Sequence, residues 1–379
     1  MEEIIGILVI LALIILILKD KKNIKREGIV FIRRSKFFVK NIEKFGTKHE
    51  KILNIFGNIS VVIGFLISLF SLYFLITLLF IKVKAPAIQI ILPSLPGICE
   101  SNIFLCLNPI YWIVIILIVA FSHEIMHALL SEANKVKIKS VGYAIFIFLP
   151  AFFVEPNEKE FEKRKTIQKL RILSVGSIGN LLIALFTILF LFLLYFILFP
   201  FFSFYGLEVE VIPNSSAYFA NLTGIILKIE GKEATIKNLR EILSKKEENE
   251  SILIETTEGI YKFNLTNRII GIRIKREIYN STISFLSPLF NYSKNFYYCF
   301  ALREPAYCSF IFNSFAFLLI LISIGVAIFN LLPLKPLDGG KMWEELLKLV
   351  FPKKYREISN TLSIFVFIII LLLILKPLV

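Results

Sequence analysis

The stretch FSHEIMHALL, residues 121–130, lies inside the apolar run 109–131 yet carries two histidines and a glutamate. On a helix, His123 and His127 stand at i and i+4 and share one face, so their imidazoles reach a single tetrahedral zinc. Glu124 is the next residue, close enough to act as general base on a zinc-bound water. H-E-x-x-H also arises by chance in soluble helices. Inside an apolar span that explanation weakens, because an ionisable group there costs about 2.5–3.5 kcal/mol or more. A bound divalent cation stabilises all three groups, whereas a histidine satisfied by a protein core does not account for the pair.

The rest of the chain supports a membrane setting. Its 379 residues are 56% hydrophobic, against about 45–50% for soluble domains, and the mean hydropathy is +0.75. Runs such as LLIALFTILFLFLLYFILFPFF and LSIFVFIIILLLIL are long enough to cross a bilayer. The net charge of +14 comes from Lys and Arg beside apolar runs. That is the positive-inside pattern, and no nucleic-acid partner is expected.

Charge and hydropathy predict six spans with both termini outside. Residues 4–18, with an acidic start and the basic end KDKKNIKR, read as an uncleaved first span. Residues 19–52, including RRSKFFVK, read as cytoplasmic. Run 54–82 returns outward, 83–108 is an outside loop, and 109–131 passes inward. VGYAIFIFLPAFFVE, residues 141–155, is short and rich in aromatic and β-branched residues, so it predicts a membrane-dipping hairpin or re-entrant loop. EKEFEKRKTIQKLR predicts a charged helix. Run 172–203 goes outward, 311–332 returns, and 361–376 is the last span after the cytoplasmic KMWEELLKLVFPKKYRE. Residues 205–275 alternate strand-like pieces with one helical piece and predict a small α/β soluble module.

Sequons at Asn214, Asn221, Asn249, Asn264, Asn280 and Asn291 all fall between 205 and 310, which agrees with an outside position for that region. Asn58, inside an apolar run, stands apart. Coincidence in an Asn-rich chain is the competing explanation. The four cysteines, Cys99, Cys106, Cys299 and Cys308, occupy expected outside loops and contain no C-x-x-C. They are candidates for disulfides, with buried free thiols as the alternative.

Two histidines leave a catalytic zinc one protein ligand short. His49 sits in a basic stretch, which leaves Asp338 in FNLLPLKPLDGG as the best candidate. Pro333 and Pro336 break the helix and Gly339–Gly340 let the chain turn. From spacing alone, Asp338 is equally an oxygen ligand entering the site or an N-cap ahead of KMWEELLKL.

HEIMH in one apolar run and NLLPLKPLDGG in a later one resemble the site-2 protease family of intramembrane zinc metalloproteases. The later motif is carried by Asn330, Pro333, Asp338 and Gly339, and GSIGN, Gly176 to Asn180, resembles the family's G-x-x-x-N segment. The resemblance implies one zinc per chain on His123, His127 and Asp338, with Glu124 catalytic. It implies that Asn180 and Asn330 hold the substrate strand or the reaction intermediate. Residues 207–275 resemble a PDZ domain, departing from the usual pattern at Ile225 and Glu230.

The expected architecture is therefore a mainly α, polytopic membrane protein with an extracytoplasmic α/β PDZ-like domain. Residues 1–108 are accessory, 109–204 and 311–345 form the catalytic core, 205–275 the PDZ-like domain, 276–310 a Cys-containing loop, and 346–379 a cytoplasmic segment and last span. The expected function is regulated intramembrane proteolysis of transmembrane segments of other proteins. The lipid bilayer of the plasma membrane is the setting, with the active site toward the cytoplasm. A zinc transporter and a non-catalytic binder of membrane segments are the alternatives. A metalloprotease of prenylated C-termini needs a different later ligand.

Overall fold

The computed structural model describes residues 24–28, 30–81, 88–94, 104–146, 149–198, 202–266, 269–281 and 315–376, with Leu8, Leu11 and Ile15 near the amino terminus. The chain divides into two compact units, residues 1–188 with 315–379, and residues 189–314.

The first unit opens with β1 (Ile24–Glu27) and β2 (Val30–Ser35), followed by α1 (Val39–Lys48) and α2 (Glu50–Phe80). α2 buries a helical stripe of mostly small residues, Gly57, Ser60, Val61, Gly64, Ser68 and Ser71. It exposes large apolar side chains such as Leu66, Phe70 and Phe74. Small residues inward and bulky apolar ones outward is the arrangement of a lipid-embedded helix, whose neighbours approach closely through van der Waals packing. A short parallel pair follows, β3 (Ile90–Pro93) with β4 (Phe104–Leu107), and then α3 (Pro109–Ala133). Pro109 opens α3, and the Asn108 side chain accepts from the Ile110 amide, an N-cap with proline at the first helical position.

The expected hairpin is present as β5 (Ile138–Phe146) and β6 (Leu149–Pro156). It is part of a four-stranded sheet in the order β1-β2-β5-β6. Residues 24–35, from the expected N-terminal segment 1–108, supply the other two strands. Val30 to Ser35 pair in antiparallel register with Phe146 to Val141; the β-branched and aromatic start Val30–Phe31–Ile32 suits a strand, and the stems of the two arginines tolerate partial burial. β6 is left as the edge strand on the other side. The predicted charged helix is divided into α4 (Glu158–Glu162) and the first turns of α5 (Thr166–Leu198).

The second unit is an α/β module. β7 (Phe202–Val211), α6 (Ser216–Phe219), β8 (Ile226–Ile229), β9 (Lys232–Glu233), α7 (Ile236–Lys245), β10 (Ser251–Thr256), β11 (Ile260–Asn264) and β12 (Ile272–Ser281) follow in order. The sheet runs β11-β10-β8-β7-β12, with β9 on β8. Its core joins Leu207, Ile226, Ile229, Leu239, Ile252, Ile254 and Leu265. β12 pairs with β7 from Ile272↔Val211 out to Ser281↔Phe202. The module is therefore longer at both ends than residues 205–275, and residues 276–281 are strand where a loop was expected. Asn214, Asn221 and Asn249 have positive φ angles of 61°, 50° and 65°. These three sequon asparagines thus have a conformational reason of their own, since Asn tolerates the left-handed region.

The first unit resumes with α8 (Phe315–Asn330), a turn over residues 331–337, α9 (Asp338–Val350) and α10 (Tyr355–Leu375). Among the described residues, four helices are long and apolar enough to span a membrane, and α8 is a shorter apolar helix of 16 residues. Most of the expected first span, residues 4–18, lies outside the described residues. Leu331 and Leu332 anchor the 331–337 turn. Leu331 packs with Val61, Leu173 and Met342, and Leu332 with Leu75, Val366 and Leu373. Trp343 Nε1 donates to Ser68 Oγ at 2.8 Å, and buried Lys169 bonds Glu345 at 3.2 Å. These contacts tie α9 to α2 and α5. Cys106 is disulfide-bonded; Cys99, Cys299 and Cys308 lie outside the described residues.

Candidate active site

α3 carries His123 and His127 on one face, their rings 4.6 Å apart and edge to face. The turn after α8 delivers Asp338 to the same point. His123 Nε2, His127 Nε2 and Asp338 Oδ2 form a triangle with every edge 3.0 Å. Asp338 does not cap α9. The N-cap is Leu337, with no side-chain hydrogen bond to the helix. Both side chains that meet Asp338 are mostly withdrawn from solvent, and its own is 15% exposed.

This donor set fits zinc. Neighbouring ligand atoms of a tetrahedral zinc with bonds of about 2.0–2.1 Å stand about 3.3 Å apart, within a few tenths of the observed triangle. His127 Nδ1 lies 2.6 Å from the Ile172 carbonyl. The carbonyl only accepts, so the proton sits on Nδ1 and the Nε2 lone pair faces the triangle. An imidazole lone pair and a carboxylate facing one point are donors of the kind a divalent cation takes. Among the described residues, His123, His127 and Asp338 are the group of His, Cys, Asp and Glu side chains placed to hold a metal ion.

The triangle depends on Gly176 of α5. A Cβ there would stand 2.2 Å from His127 Nε2 and 2.8 Å from His123 Cε1. Only a residue without a side chain lets α5 back directly onto the two rings. Gly339, at the start of α9, plays the corresponding part against the turn, where a Cβ would meet the Leu331 carbonyl oxygen at 2.2 Å.

A cavity of about 360 Å³ opens beside the triangle. Ile116, Val119, Ala120, His123 and Glu124 line it from α3, Ile322, Val326 and Asn330 from α8, and Pro336 to Asp338 from the turn. Glu124 thus faces the same space as two of the ligands. Its Oε2 also accepts the Val154 amide of β6 at 2.9 Å, so the hairpin's edge strand holds the carboxylate in place. The sequence held no signal for that contact, because Val154 contributes only its backbone.

The two asparagines separate. Asn330, at the end of α8, lines the same cavity as Glu124 and Asp338. Asn180 is fully buried behind His123 and bonds Ser122 and His123 rather than lining the cavity.

The chain is 28% identical over 364 residues to uncharacterized protein MJ0971 of Methanocaldococcus jannaschii, an alignment that covers 93% of this chain and 87% of the relative. The model of Peptidase family M50 matches residues 111–374, a span that holds all four of His123, Glu124, His127 and Asp338. With apolar helices and a His-His-Asp group within that span, the chain belongs to Peptidase family M50, the site-2 protease family of zinc-dependent membrane metalloproteases.

Proposed function

We propose that this protein is an intramembrane zinc endopeptidase that cuts transmembrane segments of other membrane proteins. The observation that carries the reading is the 3.0 Å triangle of His123, His127 and Asp338 beside Glu124 in an apolar cavity. His123, His127 and Asp338 would hold one zinc per chain. Zinc in that position supplies Lewis-acid chemistry, polarising a peptide carbonyl and making water more acidic.

Glu124 takes a proton from the attacking water as its oxygen bonds the carbonyl carbon. It then returns a proton to the amide nitrogen as the C–N bond breaks, so that an acid and an amine leave. In this reading the Asn330 side chain, which lines the same cavity, donates to the carbonyl oxygen as negative charge grows there. The mostly apolar walls lower the local dielectric, which strengthens each of these interactions.

A helical substrate hides its carbonyls in its own hydrogen bonds, so it unwinds before cleavage. The edge of β6 offers backbone groups to the extended segment by strand addition. In this reading the 202–281 module, PDZ-like and extracytoplasmic, excludes substrates with a bulky outer domain. The active site lies toward the cytoplasmic side of the plasma membrane. The test is reconstitution in liposomes with a membrane protein carrying one apolar span, with products read by mass spectrometry. Cleavage within the span that needs zinc and is lost in Glu124→Gln is expected. Cleavage that continues in Glu124→Gln rejects the mechanism.

A further inference from the structure

Each histidine of the triangle needs an acceptor behind it, to hold its proton on Nδ1 and leave Nε2 free. For His127 that acceptor is the Ile172 carbonyl at 2.6 Å. We propose that Asn180 is the corresponding positioning residue for His123, its side-chain carbonyl accepting the His123 Nδ1 proton. This rests on the zinc reading above and assigns Asn180 to the metal site rather than to substrate.

Each hydrogen around His123 needs one acceptor. Ser122 Oγ has one hydrogen but lies 3.0 Å from the Val119 carbonyl and 2.8 Å from Asn180 Oδ1. It cannot donate to both. Asn180 Nδ2 in turn lies 3.4 Å from His123 Nδ1. If the amide nitrogen donates there, the His123 proton is forced onto Nε2, the atom that faces Asp338 and His127 at 3.0 Å. That tautomer blocks the ligand position.

Turning the amide by half a rotation resolves both conflicts without moving any other atom, because its two ends are nearly the same size. Ser122 then donates to Val119, the Asn180 amide nitrogen donates to Ser122 Oγ, and the Asn180 oxygen accepts from His123 Nδ1. Every named hydrogen has one acceptor, and the His123 Nε2 lone pair faces the triangle. Asn180 is fully buried, so no water replaces it as acceptor.

The positions on α5 fit this role. Ile172, Gly176 and Asn180 recur every fourth residue and form one stripe against α3. Gly176 lies between the two acceptors and adds no side chain over the Ile172 carbonyl or the rings. One face of α5 therefore orients both ligands, by a backbone oxygen for His127 and a side-chain oxygen for His123.

The test is zinc affinity of the full chain in detergent, by chelator competition, for wild type, Asn180→Leu and Asn180→Asp, alongside the unfolding midpoint of each metal-free protein. Asn180→Leu keeps the shape but accepts no proton, and weakening of about 10–100-fold is expected, the usual cost of losing such a partner. Asn180→Asp keeps an acceptor and should bind within a few-fold of wild type. Wild-type affinity in Asn180→Leu overturns the proposal, as does equal weakening in both variants. A wild type that binds no zinc overturns the metal reading and this one together. Histidine 15N spectra of zinc-loaded wild type test it without substitution. Nε2 coordination with a slowly exchanging Nδ1 proton is expected for His123, and coordination through Nδ1 or a rapidly exchanging proton overturns the assignment.

Discussion

Gly176→Ala adds one methyl group and should abolish zinc binding without unfolding the protein. The new Cβ would lie 2.2 Å from His127 Nε2 and 2.7 Å from its Cδ2, and ordinary contact begins at 3.4 Å. The ring must retreat by about 1.2 Å, several times the roughly 0.2 Å tolerance of a metal–ligand bond. His123 Cε1, at 2.8 Å, is displaced as well. Losing ligand geometry should exceed the 10–100-fold effect of losing an outer partner. We expect more than about 100-fold weaker binding, or about 2.8 kcal/mol. Alanine in a helix interior stabilises by roughly 0.5–1 kcal/mol relative to glycine, and overpacking costs about 1–3 kcal/mol, so the metal-free fold should survive. Gly325→Ala is the control, since nothing stands within 4 Å of a Cβ there. Chelator competition reads the affinity and circular dichroism the fold. Wild-type affinity in Gly176→Ala would refute the placement of both rings against α5.

Glu124→Gln should retain bound zinc while cleavage falls by at least about 100-fold, as loss of a positioned general base implies; parallel loss of metal and activity would make Glu124 a ligand instead. Lys169→Met leaves the Glu345 carboxylate, 12% exposed, without its 3.2 Å partner. Lys348 stands 3.9 Å away and compensates in part. A loss near the low end of about 3–5 kcal/mol is expected, read as a lower unfolding midpoint. In the second unit, the hydrogen bond from Lys246 holds the Glu250 carboxyl below its ordinary range. The bond to Glu250, then that to Glu230, raises Lys246 against the effect of burial. The Glu250 contribution is present above its unfolded value and is lost as pH falls through its folded pKa. The Lys246 contribution is present below its unfolded value and is lost as pH rises through its folded pKa. Lys246→Met should flatten the stability profile at both ends, and an unchanged profile in urea titrations across pH would contradict this.

Local pattern made parts of the site legible. The i, i+4 spacing of His123 and His127 put both rings on one face, and the Pro-Gly texture around Asp338 marked a turn. Spacing left Asp338 balanced between ligand and cap, and only the packing of Leu331 and Leu332 aims it at the histidines. The hairpin at 141–155 announced itself through aromatic and β-branched residues. Its neighbours β1 and β2 did not, because both are short and basic and β2 pairs with residues more than 100 positions away. The full length of β7 and β12 was hidden similarly, as their pairing joins distant segments across the module. Asn180 and Asn330 look alike in sequence, and burial separates them.

The most direct test of the zinc site is metal content per chain for wild type, His127→Ala and Asp338→Ala purified side by side. About one zinc in wild type, lost in both variants, is the result predicted by a three-ligand centre shared between α3 and the turn before α9. Full zinc in Asp338→Ala would mean that the carboxylate is only part of a turn, and would contradict the centre on which the protease mechanism is built.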